Sequence, residues 1–244
     1  MALFEARELA CQRGERLLFQ SLDFRLASGQ ALLLTGANGS GKSSLLRLAA
    51  GLSQPLDGSL LWDDQPITRE PDQHRRRALY LGHADAVKGG LTVRENLRFW
   101  ADLAGLRKSS VAAVIAAAID QFDLTMLIDL PARFLSAGQR RRLALSRLML
   151  QPAATQPLWL LDEPTNALDS DAQQRLLDLL LRHLGDGGRM MLASHESLEA
   201  LPGQRLRIDT FQPQAPFAAG SPEDQPESGP ASDPAALAGF GEVA

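Results

Sequence analysis

Cysteine is almost absent from these 244 residues, and lysine is scarce. Cys11 stands alone, so no disulfide can form within the chain and a reducing compartment is expected. Its simplest role is that of a small buried hydrophobe. Lysine occurs only at positions 42, 88 and 108 while arginine is abundant, a compositional bias. The basic run His74–Arg77 therefore reads as a solvated loop rather than a nucleic-acid patch. No stretch approaches the ~20 apolar residues that span a bilayer, and Val111–Ile119, the longest candidate, is short and Ala-rich. The start MALFEARELA lacks the pattern of a secretory leader. Any membrane role is thus expected to come through a partner. Internal repeats and sustained heptads are missing too, which excludes a solenoid or long coiled coil.

Charge is unevenly spread. The formal net charge is −4, but residues 212–244 hold five acids (Glu223, Asp224, Glu227, Asp233, Glu242) and no base. Removing them leaves 24 acids against 25 bases, a net of +1, so bulk charge favours no class of partner. The same 33 residues contain six of the 14 prolines with much Ala, Gly and Ser. Such a composition buries too little apolar surface to order itself, which predicts a disordered acidic tail over 212–244 and one folded domain over 1–211.

Within 1–211, short apolar runs alternate with helical patterns, the mark of an α/β fold. Strands are expected over Leu3–Ala10 (with a break at Arg13-Gly14), Leu17–Ala27, Ala31–Thr35, Leu60–Trp62, Ala78–Leu81, Leu158–Leu161 and Met190–Ser194. A helix is expected from Lys42 to about Ala50, stopped by Gly51. From Thr92 to about Leu130 the pattern is helical, with Ser109-Ser110 as a candidate cap for an Ala-rich helix. Ala172–Leu184 is amphipathic, with Leu176, Leu177, Leu180, Leu181 and Leu184 on one face.

Gly36-Ala37-Asn38-Gly39-Ser40-Gly41-Lys42-Ser43-Ser44 follows an apolar strand and opens a helix. That context suits phosphate: glycines let consecutive N–H groups converge on its oxygens, and the helix N-terminus adds positive potential. Lys42 can reach β- and γ-phosphates, and the Ser43 hydroxyl can ligate Mg²⁺. Downstream, a buried strand ends in Asp162-Glu163. Adjacent carboxylates raise each other's pKa unless a cation intervenes. Mg²⁺ held by Asp162, with Glu163 polarising an attacking water, supplies that reason. His195 follows the next strand, where a parallel sheet presents it beside these acids.

Taken in order, the phosphate loop, LSAGQ at Leu135–Gln139, LLDEP at Leu160–Pro164, NALD at Asn166–Asp169 and Ser194-His195 resemble the ATP-binding-cassette (ABC) family. The resemblance spans Leu3 to about Ile208. It implies a P-loop NTPase fold with an antiparallel β subdomain and a helical subdomain at about 92–150. It also implies a homodimer in which Ser136, Ala137, Gly138 and Gln139 contact the other copy's ATP while Asp169 crosses the interface. ATP and Mg²⁺ are the implied ligands, with Glu163, His195 and Lys42 as catalytic groups. The length, ELACQRGERLLF and YLGHADAVKGGLTVRENLRFW are most similar to the haem-export branch that serves cytochrome c maturation. That implies integral-membrane transporter subunits as partners, a peripheral place on the cytoplasmic face of the bacterial inner membrane, and no nucleic acid.

Three positions depart from the family pattern; one, Ala137 for the usual second Gly of LSGGQ, adds only a methyl group and occurs in this branch. His83 stands where most members carry a Mg²⁺-contacting Gln that senses the membrane partner. Imidazole is a poorer Mg²⁺ ligand than oxygen, so His83 is expected to position water or signal to the partner, with an exposed loop His as the alternative. Arg13 takes the place of the usual aromatic residue over adenine, and a guanidinium can stack on a base. Arg140–Arg142 are read as helical residues, part solvated and part near the partner copy's nucleotide. A transporter ATPase for another substrate, or an ABC ATPase acting on nucleic acid or ribosomes, are the alternatives. Only 93 positions separate Lys42 from Leu135, too few for the long coiled coils of repair members.

Overall fold

The structure, a computed structural model, describes residues 3–150, 157–194, 198 and 200–213. Two long strands open the chain, β1 (Leu3–Arg13) and β2 (Arg16–Ala27), paired antiparallel around Gly14-Glu15. β3 (Ala31–Thr35) leads through the Gly-rich loop into α1 (Lys42–Ala49). β4 (Asp57–Trp62), β5 (Gln65–Pro66), α2 (Pro71–Arg77) and β6 (Ala78–Leu81) follow. The helices α3 (Val93–Leu103), α4 (Lys108–Gln121) and α5 (Ala137–Leu145) occupy the middle of the chain with short 3₁₀ turns between them. β7 (Leu158–Asp162), α6 (Ser170–Gly185), β8 (Arg189–Ala193) and β9 (Gly203–Arg207) complete the described fold.

The strands form two sheets. One is antiparallel in the order β2-β1-β4-β5; the other is parallel in the order β6-β7-β8-β3-β9. β7 and β8 are buried at every position, as expected of a parallel sheet covered on both faces. Their alternation divides the core. Leu158, Leu160, Met191 and Ala193 pack with α1 and the antiparallel sheet, whereas Trp159, Leu161, Met190 and Leu192 pack with α3–α6. β8 separates β7 from β3, so the Gly-rich loop and Asp162-Glu163 emerge at the same carboxyl edge, one strand apart. Ligand sites of open α/β sheets lie at that edge.

Several expectations need correction. His74–Arg77 is not a loop: it completes α2, and His74 is buried with its Nε2 2.7 Å from the Ala49 carbonyl oxygen. Burial lowers its pKa. Neither Ser109 nor Ser110 caps α4. The cap residue is Arg107, and the Ser110 hydroxyl donates to its carbonyl at 2.9 Å. Helix α6 buries Ala172, Leu176, Leu179, Leu180, His183 and Leu184, leaving Leu181 exposed and Leu177 only partly covered. Hydropathy favoured leucine over a histidine that stacks on Trp159 at 3.6 Å. β1 runs on to Arg13, and β9, mostly exposed and with Leu206 as its one apolar side chain, carries too little hydrophobic signal to be read. The tail lies outside the described residues from 214 onward.

Candidate nucleotide site

The buried run of β3 stops at Thr35, and the chain turns through Gly36, Gly39 and Gly41 at positive φ. At Gly41 (φ 112°) an added Cβ would lie 2.9 Å from the Phe19 ring, so the turn into α1 requires glycine. Lys42 is buried beneath this loop, and its Nζ donates to the carbonyls of Gly36 (2.6 Å) and Ala37 (3.1 Å). The Ser40 hydroxyl is buried and has no partner among the described residues. Such an orphan suits a site that receives an anion's oxygens. Asp209, beyond β9, accepts from the Ala37 N–H at 3.2 Å and so braces the loop.

A groove of about 360 Å³ runs along the loop, lined by Arg13, Arg16, Asn38, Gly39, Gly41, Lys42, Ser43, Ser44 and Glu163. A second contains Arg13, Ser43, Tyr80, His83 and Asp162. Ser43 and Asp162 thus offer a hydroxyl and a carboxylate to one space, the oxygen donors that Mg²⁺ takes together with phosphate. Among the described residues no three His, Cys, Asp or Glu side chains gather as a complete metal cage. Burial and then the Asp162 charge raise the pKa of Tyr80.

Glu163 follows β7 with φ 47°, in the left-handed region. Its N–H donates to Ala193 at 2.8 Å, its carboxylate accepts from the Asn166 amide, and His83 Nδ1 lies 3.9 Å away. His83 itself is largely exposed. His195 lies outside the described residues.

The LSAGQ segment stands apart from both grooves. Ser136 caps α5 in a reciprocal box: its Oγ accepts from the Gln139 N–H at 3.2 Å, and Gln139 Oε1 accepts from the Ser136 N–H at 2.9 Å. Gly138 packs so tightly that a Cβ would approach the Ala167 carbonyl oxygen to 2.7 Å. Asp169 caps α6, accepting from the Ala172 N–H at 2.8 Å. Residues 13, 38, 39, 41–44, 83, 162 and 163 therefore line these two grooves, while 36, 37, 40, 136–139 and 169 line neither.

The arginine run differs from expectation. Arg141 is buried against the carbonyls of Asp162 and Glu163, and Arg142 is bound to Phe122 and Asp123. Asn166 and Tyr80 stand inside matching motifs with no role assigned to them by sequence, and Asp209 was missed. A buried guanidinium leaves no mark in a run of three arginines, and Asp209 lies beyond every recognisable motif.

Residues 19–166 match the model of the ABC transporter family, and the chain belongs to that family. It is an ABC-type ATP hydrolase, and ATP is its nucleotide. Two relatives, from Paramagnetospirillum magneticum and Rhodospirillum rubrum, bear the name cytochrome c biogenesis ATP-binding export protein CcmA. They are 47% identical over 208 residues (85% of this chain, 94% of theirs) and 48% over 220 residues (90% and 91%). The Escherichia coli K12 protein of that name is 40% identical across 88% of this chain and its own full length. Among solved structures, an ATP-binding subunit of an ABC transporter superposes with a TM-score of 0.71 at 24% identity, covering 79% of both chains. An ABC transporter ATP-binding protein from Pyrococcus furiosus gives 0.73 at 22% identity, over 86% of this chain and 100% of its own. Both carry the fold alone. Among the described residues no helix is long and apolar enough to cross a membrane.

Proposed function

We propose that this chain is the ATP-hydrolysing subunit of a membrane exporter in c-type cytochrome biogenesis, energising haem export or release of a haem-loaded chaperone. The observation that carries this reading is the 40–48% identity to cytochrome c biogenesis export proteins across 85–90% of the chain. Two copies close head to tail on the cytoplasmic face of the bacterial inner membrane, peripheral to integral-membrane subunits. The folded domain is residues 1–211, with a helical subdomain at about 92–150.

Lys42, the loop N–H groups from Gly36 to Ser44 and the Ser40 hydroxyl hold the phosphates. Arg13 stacks at the base. Ser43 and Asp162 would hold Mg²⁺, with His83 lining the same groove, and the ion would neutralise phosphate charge. Glu163 accepts the proton of the attacking water, steadied by Asn166, and His195 bridges Glu163 and the γ-phosphate. From the other copy, Ser136, Ala137, Gly138 and Gln139 present the positive end of α5 to the γ-phosphate, and Asp169 crosses the interface. The 136–139 segment's separation from its own chain's grooves supports this arrangement. Nucleotide-driven closure then shifts the conformational population of the membrane partners.

Affinity purification from solubilised membranes tests the assignment. Haem-handling membrane proteins should co-purify. Recovery with ribosomes, DNA or an unrelated exporter would contradict it.

A further inference from the structure

One guanidinium touches two separate segments of the site. Arg141 lies on α5, five residues beyond Ser136, and its side chain is only 6% exposed. Nη2 donates to the carbonyl oxygens of Asp162 (3.0 Å) and Glu163 (2.7 Å). Nη1 pairs with the Asp85 carboxylate (3.0 Å) and reaches the Gly82 carbonyl (3.4 Å). A planar guanidinium is suited to such divergent acceptors, and a lysine ammonium cannot serve all four in the same geometry.

The acceptors are those whose placement matters most. Glu163 occupies left-handed backbone, which a residue with a Cβ keeps only when its surroundings hold it there. Ala193 fixes its N–H and Arg141 its carbonyl. Gly82 and Asp85 flank His83, whose ring faces the Glu163 carboxylate. Arg141 therefore sets both members of the His83–Glu163 pair. One turn earlier on the same short helix, Gly138 bears on Ala167, in the loop that follows Glu163. A helix turn packed at two adjacent points transmits a displacement rather than absorbing it.

We infer that Arg141 is a positioning residue that couples the two nucleotide sites of a dimer. The N-terminus of α5 reads the partner copy's nucleotide, and Arg141 passes its position to Glu163 and the His83 loop at the chain's own nucleotide. This rests on the head-to-tail dimer proposed above.

The test measures steady-state hydrolysis of the full chain against ATP concentration, with affinity read separately from a fluorescent ATP analogue. The native chain should show a Hill coefficient above 1. Arg141→Gln and Arg141→Lys should each lower kcat at least tenfold and bring the Hill coefficient to 1, with analogue affinity unchanged within twofold. A merely structural lesion would lower kcat without removing cooperativity. Asp85→Asn, at a partly exposed position, should lower kcat severalfold with KM unchanged, and it decides the matter if neither arginine variant folds. A native Hill coefficient of 1 overturns the inference, as does native kcat and cooperativity in a folded Arg141→Lys, or in Asp85→Asn if that variant must decide. The dimer is checked independently with Glu163→Gln and ATP by gel filtration. A monomer there removes the premise; a dimer beside an unaltered Arg141→Lys removes only the inference.

Discussion

The Nδ1 atom of His83 lies 3.9 Å from the carboxylate of Glu163, although the two residues are 80 positions apart in sequence. An imidazole at that distance can steady the carboxylate or a water between them. His83→Ala should therefore lower kcat about tenfold, less than loss of a direct proton acceptor would. His83→Gln should keep most of the activity, because an amide restores a polar group at the same reach. Nucleotide affinity should not change in either, since the phosphate loop is untouched. Equal kcat for native and His83→Ala chains would make His83 an exposed loop residue.

Removing the Lys42 ammonium takes away the cation nearest the phosphates. Lys42→Ala should abolish nucleotide binding, measured by titration with a fluorescent ATP analogue, while the melting temperature changes little. The residues whose carbonyls Lys42 engages, Gly36 and Ala37, are half-buried and exposed respectively.

Ser136 has two duties that separate experimentally. As the cap of α5 it satisfies a free N–H, so Ser136→Ala should cost about 1 kcal/mol of stability in urea unfolding. As a group presented to the other copy's γ-phosphate it cannot be replaced by bulk. Ser136→Arg should abolish hydrolysis while monomer affinity for ATP stays near native.

Acid should weaken the fold through His183. Burial lowers its pKa to about 4 from the ordinary 6.5. An unfolded chain takes up this proton near 6.5 and the folded chain resists until about 4, so stability is lost as pH falls through that window. The loss by pH 5 amounts to about 2 kcal/mol. His74, lowered by burial in the same way, adds in the same direction. His183→Phe keeps a ring against Trp159 without the proton, and its urea stability should fall less between pH 7 and pH 5. An equal fall in both chains would assign the acid sensitivity elsewhere.

Deleting residues 212–244 should leave ATPase activity unaffected if the tail does not order. A changed kcat would give it a role in the catalytic domain.

How far the sequence carries the site depends on whether a feature is local. The phosphate loop is legible because its glycines, Lys42 and Ser43 are consecutive and their chemistry follows from backbone geometry. Asp162-Glu163 stands out because the paired acids close a continuous apolar strand, and the structure sets that strand's end at the carboxyl edge of the sheet. β9 was not, because its exposed edge position allows a polar sequence whose hydrogen bonds to β3 are supplied by the backbone. Arg141 was not, since only tertiary structure distinguishes it from Arg140 and Arg142. His74 was misread and His183 passed over for the same reason: each is buried by neighbours distant in sequence, and composition counts both as polar.

The most direct test is the behaviour of Glu163→Gln with ATP, followed by light scattering after gel filtration and by counting bound nucleotide. The account holds that hydrolysis needs Glu163 and that each site is completed by a second copy. It predicts no turnover and an ATP-dependent dimer holding two ATP molecules, which reverts to monomer when ATP is removed. A variant that hydrolyses ATP at the native rate, or that stays monomeric with ATP bound, would contradict it.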